Sequence, residues 1–155
     1  MGELIHTSRV KIYQDERPER RAYIEAFGDP ITFGVHGGVK NFYGYEPKRE
    51  LPTTLDYMIA AVGGWLIGTL AGALAVRQIS PAPEKIWSEV EGDIEKIDGS
   101  IRIVRIRVRY HLKIPKGKRD AAERALSKHM SGCPAAMSVK DCIEINITAE
   151  IEEEY

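Results

Sequence analysis

The sequence predicts an α+β chain on three observations. Tyr57 to Val76 runs twenty residues without a charge, long enough for one continuous helix. Ile86 to Lys96 and Ile101 to Ile114 alternate apolar and polar residues at the strand period, and Cys142 to Ile151 does the same near the carboxyl end. The elements follow the order strands, long helix, hairpin, two helices, strand, with no internal repeat among them.

The chain has 155 residues, 43% of them hydrophobic, enough to bury a core without disulfides or metals, so a single domain over 1–155 is expected. Lys and Arg number 22 against 23 Asp and Glu. The resulting net charge of -1 provides no bulk field for nucleic acid or an anionic membrane. The opening stretch MGELIHTSRVKIYQ lacks the basic, apolar, small-residue order of a secretory signal, and a cytoplasmic protein with reduced thiols is expected.

In the first third, Arg9 to Tyr13, Arg21 to Phe27 and Ile31 to Val35 read as short strands, separated by the turn-forming runs Asp15 to Pro18 and Gly28-Asp29-Pro30. Gly37-Gly38 and Gly44 to Pro52 are expected to be loop. Thr53 with Asp56 three residues on forms a capping box with a shorter acid, so the long helix should start there. It should end near Ser80, because Pro81 and Pro83 forbid continuation.

The charge-free run supports two readings. Its length suits a membrane span, with Gly64, Gly68 and Gly72 on one face as in helix pairs in lipid, which would make 57–76 an anchor. The same run suits a helix at the centre of a soluble dimer. Its Ala and Gly content, with Lys48 and Arg49 before it and Arg77 after it, favours the soluble reading, with neither membrane nor nucleic acid as partner.

Asp98-Gly99-Ser100 joins the two alternating strands as a predicted three-residue turn. That register sets Asp93 against Arg105, Glu91 against Arg107 and Glu89 against Arg109. Val90 and Ile94 take the opposite face of the first strand, and Val104, Ile106, Val108, Tyr110 and Leu112 that of the second. The arginine row resembles a phosphate-binding track, but acid neutralises base on the same surface and no aromatic platform interleaves. Asp120 to Met130 is a predicted helix with Ala121, Ala122, Ala125, Leu126 and Met130 inward, ended by Ser131-Gly132. A second helix starts at Cys133-Pro134. In the last strand Ile143, Ile145, Ile147, Ala149 and Ile151 face inward, and Glu152 to Glu154 form a solvated tail.

Cys133 is the candidate nucleophile, because a thiol at a helix cap sits among unpaired N–H groups that stabilise a thiolate. Equally, cysteine is a common small buried hydrophobe. His129 lies four residues earlier, but two ligands fall short of a tetrahedral site, so no metal or other cofactor is expected. Cys142 should lie about 10 Å from Cys133 across a helix at roughly 1.5 Å per residue, too far for a disulfide.

Leu55 to Leu66, LDYMIAAVGGWL, followed by a long Ala- and Gly-rich helix, resembles the central-helix motif of OsmC/Ohr proteins, in which an acidic and apolar run leads through small residues to a cysteine. Gly132-Cys133-Pro134-Ala135-Ala136 is similar to their second-cysteine motif, and Glu91-Gly92-Asp93 in the hairpin also fits. The resemblance covers about Ala26 to Ile151. It implies an intertwined homodimer in which antiparallel sheets wrap long buried central helices. It also implies hydroperoxide chemistry, with a peroxidatic cysteine, a resolving cysteine, and an Arg and a Glu that activate the first thiolate. Here Trp65 stands at the peroxidatic position and cannot form a sulfenate. Only Asp56 lies near the place of the acid, and Arg17, Arg20 and Arg21 lie in the region that supplies the Arg. Two functions follow. One is a protein without the two-cysteine reaction that binds an apolar or hydroperoxide molecule at a dimer-interface pocket of Trp65, Asp56, Met58 and Met137. The other is a one-cysteine thiol peroxidase or reductase that uses Cys133.

Overall fold

The structure, a computed structural model, describes residues 2–155, which fall into two compact units, one up to Tyr57 and one from Met58 to Tyr155. In the first, β1 (Val10–Gln14), β2 (Arg20–Ile24) and β3 (Ile31–Phe33) form an antiparallel sheet in that order, within a few residues of the predicted strands. Arg21 donates two hydrogen bonds to Asp15 at 2.7 and 3.0 Å and so closes the β1–β2 connection.

The expected loop at Gly37-Gly38 is instead the start of a helix, α1 (Gly37–Tyr43). Two glycines read as loop, yet Gly37 at φ 53° makes the turn into the helix and Gly44 at φ 68° closes it as a left-handed cap. Beyond β3 the chain lies against the segment that leads to the long helix. The Gly34 N–H donates to the Pro52 carbonyl at 2.9 Å, and the Leu51 N–H to the Val35 carbonyl at 3.4 Å. A β-carbon on Gly34 would stand 2.7 Å from that of Leu51, so this approach requires glycine.

The long helix α2 (Thr54–Ala75) starts as predicted. The Thr53 N–H and hydroxyl donate to the Asp56 carboxylate at 2.6 and 2.9 Å, and the Asp56 N–H donates back to the Thr53 hydroxyl at 3.1 Å. Its end corrects the expectation of Ser80. Gln78 turns left-handed at φ 59°, and its N–H and that of Ile79 donate to the Ala75 and Leu74 carbonyls. This is a Schellman closure, sealed by buried Ile79, so the chain leaves the helix before the prolines act.

In the second unit, Val62, Leu66, Leu70 and Leu74 recur every four residues as the buried stripe of α2. The helix interlocks with β4 (Ile86–Ile97) through glycines on both sides: a β-carbon on Gly63 would stand 2.6 Å from Val90, and one on Gly92 would collide with Ile59. β4 pairs antiparallel with β5 (Ser100–Pro115), whose Ile106, Val108, Tyr110, Leu112 and Ile114 are sealed from solvent.

Between these strands the turn has two residues rather than the predicted three, Asp98 and Gly99 at φ 52° and 80°. A two-residue turn alone would shift the pairing by one. A bulge compensates: Ile94 pairs with Ile103 but Asp93 with Arg105, which leaves Val104 unpaired and restores the predicted Asp93–Arg105, Glu91–Arg107 and Glu89–Arg109 pairs. The bulge also brings Ile103 inward in place of Val104, which is half-buried. Asp93 receives hydrogen bonds from Arg107 and Arg105, which hold its carboxyl far below the usual range.

α3 (Arg119–His129), a short 3₁₀ turn over Met130–Gly132 and α4 (Pro134–Val139) carry the chain back across the sheet. On α3 the fully buried line is Ala122, Ala125 and His129, and Ala121, Leu126 and Met130 are half-buried. After this crossover β6 (Glu144–Glu154) pairs with β5 in parallel, which makes the second sheet a mixed one of order β4-β5-β6. Glu152 to Glu154 are therefore strand and not a free tail. Glu153 accepts the Gly117 N–H at 2.9 Å, and Glu154 pairs with Lys85.

Candidate functional site

α2 decides where three of the anticipated pocket residues stand. Met58 and Trp65, two turns apart, share one side of the helix beside the buried stripe and are 47% and 57% exposed. Gly64, Gly68 and Gly72 run along the adjoining side, opposite the buried stripe, and a β-carbon on any of them would meet nothing within 4 Å. The single chain thus leaves an apolar, small-residue surface open along most of its longest helix. Met137, on α4, is also exposed.

Asp56 stands at the start of this helix with a partner the sequence did not suggest. His36 Nε2 lies 2.7 Å from Asp56 Oδ2, the oxygen that also accepts both Thr53 bonds. Burial pushes the Asp56 carboxyl up, but the bonds from Thr53 and His36 together outweigh it and hold the group below its usual range. An ionised carboxylate only accepts, so His36 Nε2 carries the proton and Nδ1 is left with a lone pair in the neutral ring. His36, Asp56, Glu50, Leu51 and Pro52 line an open cavity of about 430 Å³. Trp65, Met58 and Met137 do not line it. Glu50 is held by Lys40 at 2.7 Å.

Cys133 caps α4 as the sequence suggests. Its Sγ accepts the Ala136 N–H at 3.5 Å, and Pro134 occupies the first helical position. The thiol is fully buried, and Cys142 is exposed. Near it lies a polar pair inside the core. The Tyr110 hydroxyl lies 2.9 Å from His129 Nε2, and His129 Nδ1 lies 2.7 Å from the Leu126 carbonyl. The carbonyl can only accept, so Nδ1 donates to it and Nε2 accepts from Tyr110. Burial holds His129 below its usual range and, with the neighbouring Cys133, pushes Tyr110 up. Among the described residues no three His, Cys, Asp or Glu side chains converge to hold a metal.

His36 escaped sequence reasoning because twenty residues separate it from Asp56. The signal that could have found it is indirect: glycines at 34, 37 and 38 around an isolated histidine mark a backbone that turns and approaches another segment closely.

The family described as OsmC-like protein matches residues 47–148 of the chain. No curated protein matches it in sequence. Solved structures match along nearly its whole length. The OsmC-like protein from Mycoplasma pneumoniae is 12% identical with a TM-score of 0.72, the match covering 96% of this chain and 99% of the other. An organic hydroperoxide resistance protein OsmC from Legionella pneumophila is 10% identical at 0.71, over 96% and 99%. The organic hydroperoxide resistance protein OhrB of Bacillus subtilis is 14% identical at 0.61, over 94% and 98%. At these identities the likeness is one of fold.

Proposed function

The chain belongs to the OsmC-like protein family, and on that premise we propose that it is a homodimeric binding protein for small apolar molecules of the hydroperoxide type, without the two-cysteine peroxidase reaction. One observation carries this. Trp65, which the motif aligns with the family's first reactive cysteine, is 57% exposed on the apolar face of α2. An indole there offers a broad contact surface but no sulfur to oxidise. The resemblance of Leu55 to Leu66 to the family motif and the hydroperoxide-resistance proteins among the structural neighbours support the ligand class.

A second copy is the proposed cover for that face. Gly64, Gly68 and Gly72 lie in one row with open space above them, and a two-fold axis lets such a row meet itself closely. α2 is also long and apolar enough to cross a membrane. Its buried leucine stripe and its interlock with β4 favour the second copy over lipid.

Consumption of an organic hydroperoxide in the presence of a dithiol tests the reading. The native chain should leave the hydroperoxide at background, Trp65→Cys should gain turnover, and native mass spectrometry should show an apolar molecule retained by the dimer. Native turnover that Cys133→Ser abolishes would instead establish the one-cysteine enzyme. The cap contact of Cys133 with the Ala136 N–H favours that alternative, and the complete burial of the thiol opposes it.

A further inference from the structure

The cavity beside His36 has the parts of a recognition site. Its walls at Leu51 and Pro52 are apolar. Its polar floor is the His36–Asp56 pair, and Nδ1 of His36 has no hydrogen-bond partner among the described residues. The ring is held in place: Asp56 fixes its other nitrogen, the Thr53 bonds fix Asp56, and the bonds between Gly34 and Pro52 and between Leu51 and Val35 bring the two segments together. His36 does not serve its own helix, since it occupies the cap position of α1 without a side-chain capping bond.

We infer that His36 Nδ1 is the hydrogen-bond acceptor of a ligand site in the first unit, and that this site takes a neutral molecule with one O–H donor on a small apolar body, such as a phenol or an alcohol. In the neutral ring the open position is a lone pair, so a donor is required. Anions are disfavoured because Asp56 and Glu50 both line the cavity, and Lys40, the nearby cation, is already paired with Glu50. An apolar body suits the Leu51 and Pro52 walls. Asp56 acts as a positioning residue, which sets the tautomer without touching the ligand. The inference goes beyond the binding function proposed above, since it requires neither Trp65 nor a dimer.

Two-dimensional NMR on the full chain tests it, with phenol as the probe, anisole as the same ring without the donor, and benzoate as the charged counterpart. The His36 ring should be the Nε2–H tautomer, and phenol should move its Nδ1 resonance and the Glu50, Leu51 and Thr53 amides saturably. Anisole and benzoate should bind at least three- to tenfold more weakly, the usual cost of a lost neutral hydrogen bond. His36→Phe, which keeps a ring and removes the acceptor, should lose the same factor. An Nδ1–H tautomer, anisole binding as well as phenol, unchanged phenol binding by His36→Phe, or no saturable effect of phenol would each overturn the inference. Phenol shifts confined to the 58–75 amides would assign the phenol to the α2 face and overturn it as well. Failure of the earlier proposal, read from hydroperoxide turnover and from ligand retention by the dimer, leaves these outcomes unaffected.

Discussion

Thr53 is almost fully buried and satisfies two groups at once, accepting the Asp56 N–H and donating to the Asp56 carboxylate. Thr53→Ala should cost about 1 kcal/mol, the usual value of a lost helix cap, visible as a lower urea midpoint that Thr53→Ser restores. His129 makes a second prediction, this one in pH. Burial holds the folded imidazole below its ordinary value, so the unfolded chain, with a pKa near ~6.5, takes up its proton first as the solution is acidified. The contribution of neutral His129 is complete above about pH 6.5 and is lost progressively as the pH falls from there toward the folded value. Urea midpoints at several pH values across that range should show this slope. His129→Gln, which keeps a partner for Tyr110 but does not titrate, should flatten it.

Among the elements, the join between residues 34–35 and 51–52 governs the site, because it brings His36 to Asp56 across twenty residues. Gly34→Ala would place a β-carbon 2.7 Å from that of Leu51, which has no rotamer by which to withdraw. A loss of about 1–3 kcal/mol should appear in thermal unfolding, as for other overpacked positions. The same element shows where sequence reasoning reached its limit. Thr53 and Asp56 are readable because a capping box is local, and the alternating hairpin because its period is local. α1 was hidden by the two glycines that begin it, and the end of α2 by a left-handed residue, Gln78, that is not glycine. The three cross-strand pairs were anticipated from a longer turn, and the structure reaches them through a shorter turn and a bulge at Val104. Of the expected site residues, the motif signalled Trp65 and Cys133, whereas their exposure and burial depend on contacts that no local pattern encodes.

For the whole molecule, the open face of α2 carries the decisive prediction. A β-carbon at Gly68 meets nothing within 4 Å in the single chain, so Gly68→Leu should leave each protomer folded as before. If two copies join through this face, the added bulk should raise the dimer dissociation constant by about tenfold or more, seen by sedimentation velocity as monomer at concentrations where the native protein is dimeric. An unchanged dimer would place the interface elsewhere. The mixed sheet of the second unit also imposes an order of assembly. β4 and β5 meet through a two-residue turn, but Arg105 reaches its parallel neighbour Glu144 only 39 residues later, after α3 and α4 have been traversed. Closing the longer loop costs more chain entropy, so the hairpin is the template and β6 the late arrival. β5, bonded on both edges, then becomes the slow clock of the molecule: its amides are the last to trade hydrogen for deuterium, and the edge strands fray first.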